Sequence, residues 1–300
     1  MKTVAVFFEE AGTFSYPFNK KKYIRHIAQL GEAIEACGAN FRVVRHQSSY
    51  LGSGQFSQSW ELRDGEVIET GPIKADVIFD KGLFSSDGTI PVLNCQEINE
   101  ICTNKYKTFQ LFSDYSPQTY LVNTKEEFIE ALKTIPGQYK VVKPVDGLEA
   151  RNVHIGDDEF LKKQHCPYPF LVQEFLDSRS GIPGIVDGVH DFRVALLNGE
   201  ILHSIVRTPA SGKLVASVTE GGEMRVVEIE LIPSTVLELV EQIEKHMVQY
   251  GNRFYGIDIA LVNGQPKIIE LNSRVSIWDN QQHEVFASTK RKLAEVLVAL

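Results

Sequence analysis

The sequence contains few cysteines and no arrangement of them that indicates a metal or redox site. The four thiols include no Cys-x-x-Cys pair and no histidine at zinc spacing: Cys37, Cys95, Cys102 and Cys166. A chain of 300 residues is long enough to bury a core without disulfides, so we expect these thiols to be reduced.

Long hydrophobic runs are also absent. The first apolar run, Val4 to Phe8, has five residues and is followed by two glutamates. This run is shorter than the core of a signal peptide, and no apolar stretch approaches the ~18 residues that cross a bilayer. We therefore expect a first β-strand here, and a cytoplasmic protein that does not insert into membranes.

An excess of positive charge is the third absence. The 31 Lys and Arg residues against 39 Asp and Glu residues give a formal net charge of −8. Such a chain has no general attraction for nucleic acid or for an anionic membrane, so we expect neither as a partner. Any anion that the protein binds must be held by a local cluster of cations.

Two common catalytic motifs are missing, and their absence directs attention to the strand and helix pattern. No Gly-x-Gly-x-x-Gly turn follows the first strand, which argues against dinucleotide binding. The sequence also lacks the Gly-x-Ser-x-Gly motif that would indicate a serine hydrolase. Strand patterns at Val4–Phe8, Phe41–Arg45 and Asp76–Asp80 alternate with a helical pattern from Phe18 to Cys37. This alternation predicts a small parallel, Rossmann-like sheet.

The hairpin predicted over residues 256–274 carries the most informative polar side chains. Side chains alternate along a strand, so Glu270 and Asn272 share one face while Ile269 takes the other. A two-residue turn sets Asp258 opposite Ile269, whereas a three-residue loop sets it opposite Glu270. In the second case two carboxylates and an amide oxygen converge, as Mg²⁺ requires. The alternative interpretation is the solvated face of an ordinary sheet.

Further upstream, lysines and one glutamate stand where a nucleotide could bind. Lys143 ends a predicted strand at the mouth of a loop, a position that suits a polyphosphate or an ordinary surface lysine. Lys105 is a second candidate, although Lys107 is a near neighbour. Glu174 is an acceptor beside apolar backbone and suits the amino edge of a purine. The loop after Lys143 has one glycine, although the close approach of a backbone to phosphate favours glycine.

Taken in order along the chain, these segments resemble the motifs of the ATP-grasp superfamily. Among its members, the overall pattern is most similar to that of glutathione synthetase and amino-acid ligases. The resemblance covers roughly residues 100 to 275, and the segments that carry it include Asn104–Thr108, Val141–Gly147, Val172–Leu176, Asp191–Val194 and Glu270–Arg274. It implies a mixed α/β and α+β protein with a Rossmann-like domain over residues 1–102. A two-subdomain ATP-grasp fold would follow over residues 103–170 and 171–300, the second part holding the metal site.

The resemblance also implies a role for individual residues. It assigns nucleotide binding to Lys105, Lys143, Arg151, Gln173, Glu174, Phe175, Leu176 and Asp177. It assigns the metal to Asp258, Glu270 and Asn272. It assigns charge neutralisation in catalysis to Arg193 and Arg274, and substrate binding to Arg207, Ser273 and Arg274.

The function that the resemblance implies is a ligase that uses ATP and Mg²⁺, with Mn²⁺ as an alternative ion. It would join a carboxylate to an amine through an acyl phosphate, with an amino acid or short peptide as substrate and a homo-oligomer compatible with the sequence. A kinase acting on a small molecule, or a nucleotide-binding module without turnover, are the alternatives. Candidate substrate loops are Gly12–Phe18, Lys81–Asp87 and Ser276–Gln282, with Tyr16, Phe84, Trp278 and Asp279 as candidate lining residues.

Overall fold

The computed structural model describes residues 1–63, 65–147, 152–216, 218 and 221–300. Within these ranges the strands form four sheets, and seven α-helices pack around them. None of the helices in the described ranges is long and apolar enough to cross a membrane.

The N-terminal sheet is built around a buried central strand. Strand β1 (Thr3–Phe8) pairs in parallel with β2 (Asn40–Arg45) and β8 (Val77–Asp80), as the alternating pattern predicts. The Rossmann-like description of this unit remains a prediction. The other strands before residue 94 are β3 (Tyr50–Gly52), β4 (Gln55–Phe56), β5 (Trp60–Arg63), β6 (Glu66–Glu69), β7 (Ile73–Lys74) and β9 (Val92–Leu93). The six-stranded order is β6-β5-β2-β1-β8-β9, and β3, β4 and β7 form a small separate sheet.

Two helices from opposite ends of the sequence cover the N-terminal sheet. Helix α1 (Lys21–Ala36) buries an apolar stripe, and the ring of Phe41 lies 2.4 Å from where a Cβ on Gly31 would stand. Only glycine therefore allows this close approach of helix and strand. The last helix of the chain packs beside α1, and its buried Leu293 belongs to the same core as β1.

The middle of the chain forms an antiparallel sheet in the order β10-β13-β11-β12. Its strands are β10 (Thr119–Val122), β11 (Lys140–Pro144), β12 (His154–Gly156) and β13 (Phe170–Glu174). The accompanying helices are α2 (Gln96–Thr103), α3 (Lys105–Leu111), α4 (Lys125–Thr134) and α5 (Asp158–Leu161). Helix α4 begins after Thr124, whose hydroxyl accepts a hydrogen bond from the backbone of Glu127 at 3.2 Å, as an N-cap does.

A five-stranded antiparallel sheet in the order β16-β15-β14-β17-β18 completes the fold. Its strands are β14 (Asp191–Leu197), β15 (Glu200–Thr208), β16 (Glu223–Val227), β17 (Phe254–Val262) and β18 (Gln265–Asn272). Helix α6 (Ser234–Met247) buries its apolar face against this sheet, and α7 (Glu284–Ala299) is the helix that returns to α1.

The β17–β18 hairpin has the two-residue turn considered above together with the Asp258–Glu270 pairing expected for the three-residue loop. Val262 pairs with Gln265, so the turn has two residues, and Asn263 and Gly264 both have positive φ angles, 51° and 79°. A β-bulge then shifts the register next to Asp258, which lies opposite Glu270. The expected pairing is therefore correct and its expected cause, a three-residue loop, is wrong.

Candidate active site

A cavity of about 360 Å³ lies where the N-terminal sheet, the β10–β13 sheet and the β17–β18 hairpin meet. Most of the residues predicted from the sequence line it: Lys105, Lys143, Gln173, Glu174, Phe175, Leu176, Arg193, Arg207, Glu270, Asn272 and Arg274. The bulge also brings Ile269 into the lining, which corrects the expectation that Ile269 faces away from Glu270.

Strands β11 and β13 form one end of this cavity, and it is largely apolar. Val141, Ile155 and Phe175 contribute the apolar surface. Glu174 lies beside them, and its Oε2 accepts a hydrogen bond from the backbone amide of Gln118 at 3.3 Å. An apolar surface with a carboxylate beside it suits a purine ring that donates an amino group.

Two lysines lie between this apolar end and the hairpin. Lys143 is 5% exposed, and its ammonium donates to the carbonyl of Ile269 at 3.4 Å, with no ion-pair partner among the described residues. Burial lowers the pKa of Lys143 to about 8. Lys105 donates to the carbonyl of Gly147 at 2.9 Å and lies 3.9 Å from a carboxylate oxygen of Glu270. The neighbouring Lys107 instead pairs with Glu100, so Lys105 is the lysine directed at the cavity.

A buried network of ion pairs joins two arginines to Asp258 of the hairpin and to Asp191. Arg193 donates to both oxygens of Asp258, each at 2.5 Å, and Arg207 donates to Asp258 at 2.7 Å and to Asp191 at 2.5 Å. Burial acts against ionisation, but the two guanidinium groups lower the pKa of Asp258 to about 2. For Asp191 burial prevails and raises the pKa to about 7.

The residues expected to bind a metal fit Mg²⁺ in part. Glu270 and Asn272 line the cavity and supply a carboxylate and an amide oxygen, which suits an ion that completes its shell with phosphate oxygens and water. Asp258 is 1% exposed and both its oxygens accept from arginines. Asp258 can join the set only if Arg193 or Arg207 moves, so its role as a ligand remains a prediction.

Several predicted residues lie away from the cavity lining. Asp177 pairs with Arg179 two residues further on, and Ser273 is 2% exposed because alternation turns it away from Asn272 and Arg274. Of the candidate substrate residues, Tyr16 and Trp278 line the cavity, whereas Phe84 and Asp279 do not. Arg151 lies outside the described residues.

Sequence reasoning placed Lys81 at the start of a candidate substrate loop, Lys81–Asp87, but assigned no role to the residue itself. It follows the last residue of β8, and its ammonium lines the cavity and donates to the carbonyl of Val275 at 2.6 Å. Burial lowers the pKa of Lys81 to about 7. Its position was the available signal, because ligands of parallel sheets bind beyond the carboxyl ends of the strands.

Comparison with known protein families identifies the architecture around this cavity. The family described as the ATP-grasp domain matches residues 102–276, more than half of the chain. The chain belongs to the ATP-grasp family. The match begins just before Lys105 and ends just after Arg274, so it includes both lysines and the hairpin carboxylates.

Curated relatives are about a quarter identical to the chain over the aligned residues. Glutathione synthetase from Prochlorococcus marinus is 26% identical over 164 residues, which are 55% of this chain and 47% of that protein. A probable alpha-L-glutamate ligase from Hydrogenovibrio crunogenus is 22% identical, with 90% of this chain and 89% of that protein covered. The chain thus spans about half the length of the first of these relatives.

Solved structures show the same ATP-grasp fold over nearly the whole chain. The VanG D-Ala:D-Ser ligase from Enterococcus faecalis has a TM-score of 0.66 at 13% identity, with 99% of each chain covered. A RimK domain ATP-grasp protein from Sphaerobacter thermophilus has a TM-score of 0.63 at 14% identity, again with 99% of each chain covered. The similarity therefore includes the N-terminal sheet as well as the matched ATP-grasp domain.

Proposed function

We propose that this ATP-grasp protein is a ligase that uses ATP and Mg²⁺ to join a carboxylate to an amine through an acyl phosphate. The names of its relatives support the reaction class, since they include a glutathione synthetase and glutamate ligases. An amino acid or a short peptide as one substrate belongs to the same proposal. A cytoplasmic location also belongs to it and is supported by four cysteines that are free thiols.

The observation that carries this proposal is the order in which apolar and charged side chains line one cavity. Lys105 and Lys143 lie between the apolar end and Glu270. On the other side of Glu270 lie Arg193 and Arg274. A nucleotide has the matching order of an apolar ring followed by phosphates. A carboxylate placed at the arginines is then next to the terminal phosphate, which is the arrangement that acyl transfer needs.

Each group of residues has a distinct task in this arrangement. When bound, ATP would supply the phosphoryl group and Mg²⁺ would supply positive charge that offsets the negative charge of the phosphates. Lys143 and Lys105 bind phosphate oxygens, and burial strengthens their attraction for an anion. Asp258 holds Arg193 in one orientation, so that Nη1 of Arg193, which donates to no described residue, is available to an anion in the cavity.

Trapping with hydroxylamine tests the proposed reaction. The full chain is incubated with Mg²⁺, ATP and a panel of carboxylic acids and amino acids, and both ADP and hydroxamate are measured. We expect hydroxamate to form together with ADP for at least one acid, because hydroxylamine intercepts an acyl phosphate. ADP formation that depends on an added alcohol and gives no hydroxamate would indicate a kinase instead.

Removing one charge at the hairpin tests the residue assignment. Glu270→Gln keeps the size of the side chain, and we expect ADP formation to fall by about 10²-fold or more. Glu159→Gln, at an exposed surface pair with Lys162, is the matched control and should leave the rate unchanged. Unchanged turnover in Glu270→Gln would show that the metal and phosphate assignment is wrong.

A further inference from the structure

The end of the cavity next to the N-terminal sheet is lined by aromatic rings, and we call it the aromatic end: Tyr16, Tyr23, His26 and Trp278. The rings of Tyr16 and Tyr23 meet edge to face at 5.7 Å, and those of Tyr23 and His26 at 5.9 Å. Trp278 comes from the segment after β18 and also packs against Phe286. The aromatic end therefore combines side chains from helix α1, the loop before it and the C-terminal part of the chain.

The imidazole in this wall is uncharged at neutral pH. His26 is 7% exposed, and burial together with the nearby Lys290 lowers its pKa to about 4. A neutral ring adds to the apolar character of the wall. The aromatic end thus offers stacking and apolar contact to whatever part of a substrate enters it.

No carboxylate among the described residues lines the aromatic end. The acidic side chains in the cavity lining come instead from β13, β14, β18 and the loop after β11: Glu174, Asp191, Glu270 and Asp146. Three acids outside the lining have partners of their own. Glu9 contacts Arg274, Asp279 pairs with Arg25 and accepts from Gln29, and Asp80 accepts from Asn99 and from the backbone of Gly82 and Phe84. A substrate ammonium group would find no acceptor carboxylate here, and Lys22 in the lining would repel it.

Cations mark the boundary between the aromatic end and the part of the cavity that Lys105, Lys143 and Glu270 line. Lys81 lines the cavity there and has no ion-pair partner among the described residues. It donates to the carbonyl of Val275, the residue that follows Arg274 in the chain. A carboxylate at this boundary gives Lys81 an ion-pair partner and competes with the exposed Glu9 for Arg274. Its hydrocarbon part then extends into the aromatic end.

We propose that the acid activated by this ligase carries an aromatic or apolar tail and no ammonium group beside its carboxylate. Free aromatic acids, N-acylated amino acids and peptides with an apolar C-terminal residue all have this chemistry. The inference rests on the proposed ligase function and specifies the acid that occupies the same site. The amine substrate is not constrained by it.

Three acids that differ by one group each test the proposal: 3-phenylpropionate, phenylalanine and propionate. Phenylalanine adds the ammonium group to the first acid, and propionate removes the ring. With the full chain, Mg²⁺, ATP and hydroxylamine, we expect kcat/KM for 3-phenylpropionate to exceed each of the other two by at least about tenfold. Equal or faster reaction of phenylalanine or propionate overturns the proposal while leaving the ligase function intact.

Binding without turnover separates this proposal from the ligase function. Calorimetry with a non-hydrolysable ATP analogue should show 3-phenylpropionate binding at least about tenfold more tightly than propionate. Selective binding with no hydroxamate from any acid refutes the ligase function alone. Equal binding of the two acids refutes the aromatic specificity, whichever result the hydroxylamine assay gives.

A variant of the aromatic end provides the residue-level test. Trp278→Ala removes an indole while leaving the backbone carbonyl of residue 278, which Lys290 contacts, in place. We expect the preference for 3-phenylpropionate over propionate to fall at least about fivefold, with KM for ATP unchanged. Phe160→Ala removes an exposed ring outside the cavity and should leave the preference as it is. An unchanged preference in Trp278→Ala overturns the assignment of the aromatic end.

Discussion

The pairing of Arg193 with Asp258 shows how much of this site depends on single buried charges. Arg193 is 5% exposed and Asp258 1% exposed, and the bidentate hydrogen bonds between them offset the cost of removing both charges from water. The pair joins β14 to β17, so it supports the sheet as well as orienting a guanidinium group toward the cavity.

Removing the arginine should therefore destabilise the whole fold. We expect Arg193→Met to lower the free energy of unfolding by about 3–5 kcal/mol, because Asp258 becomes a buried charge with a single remaining partner, Arg207. Urea unfolding of the purified chain measures the change. Lys162→Met, at an exposed pair with Glu159, should give no resolved change, and an equally small effect of Arg193→Met would contradict the structural role.

His203 makes stability depend on pH in the acid range. It is 1% exposed, its Nδ1 lies 3.0 Å from the hydroxyl of Thr289, and burial lowers its pKa from 6.5 to about 4. Between these two values the unfolded chain binds a proton that the folded chain does not bind. The free energy of unfolding contributed by His203 is thus fully present above pH 6.5 and is lost as the pH falls toward 4.

The expected loss is roughly 3 kcal/mol at pH 4, from the difference between the two pKa values. Urea unfolding at pH 7, 6 and 5 measures it, and His203→Gln should flatten the dependence. His26, whose pKa is also about 4, should account for a second, similar contribution. His165→Gln, at an exposed position, serves as the control, and an identical pH profile in His203→Gln would exclude this histidine as the cause.

At the scale of elements, one arginine organises the loop between β1 and α1. Arg45, on β2, is 1% exposed and donates to the carbonyls of Glu10 at 2.8 Å and Tyr16 at 2.7 Å, and to the hydroxyl of Ser15 at 2.6 Å. Tyr16 from this loop lines the aromatic end of the cavity. The shape of that end therefore depends on a side chain from a neighbouring strand.

Substituting this arginine should release the loop. We expect Arg45→Met to speed amide hydrogen exchange over residues 10–18 by at least about tenfold, since several backbone carbonyls lose their donor together. Hydrogen exchange followed by mass spectrometry measures this locally. Arg42→Met on the same strand, where the guanidinium group contacts Glu61, is the matched control. Equal protection of the loop in both variants would contradict the role of Arg45.

At the scale of the whole molecule, one hydrophobic core joins the two ends of the chain. Residues of the N-terminal sheet and α1 share a buried cluster with β14, β17 and α7, including Val6, Ile34, Phe254 and Leu293. In addition, Asn94 is fully buried and donates to the carbonyls of Phe254 and Ser273. The cavity between these parts is thus framed by elements that stabilise one another.

A shared core predicts that these parts unfold together. We expect Leu293→Ala to lower the free energy of unfolding by about 2–5 kcal/mol. Far-UV circular dichroism and tryptophan fluorescence, from Trp60 in β5 and Trp278 at the cavity, should report one coincident transition before and after the change. Ile129→Ala at an exposed position is the control, and two separated transitions in the wild-type chain would contradict a shared core.

Much of the fold and of the candidate site is predictable from local pattern. The bounds of β1, β2 and β8 lie within one residue of the predicted strands, and Lys143, Glu174 and Glu270 all line the cavity. These features depend on side-chain periodicity and on residues within a few positions of each other. Such signals are contained in short stretches of sequence.

The net charge of −8 determined from the beginning that an anion needs a local cluster of cations, and the sequence alone supplied most of its members. Only the tertiary structure decided how these charges are used. Asp258 pairs with Arg193, which is 65 residues away in the sequence. A bulge in the hairpin places Glu270 opposite Asp258, and Lys81 reaches the cavity from the end of β8 in the N-terminal sheet. These three features depend on strand register and on contacts between distant segments. Register and long-range contacts leave no periodic signal in the sequence.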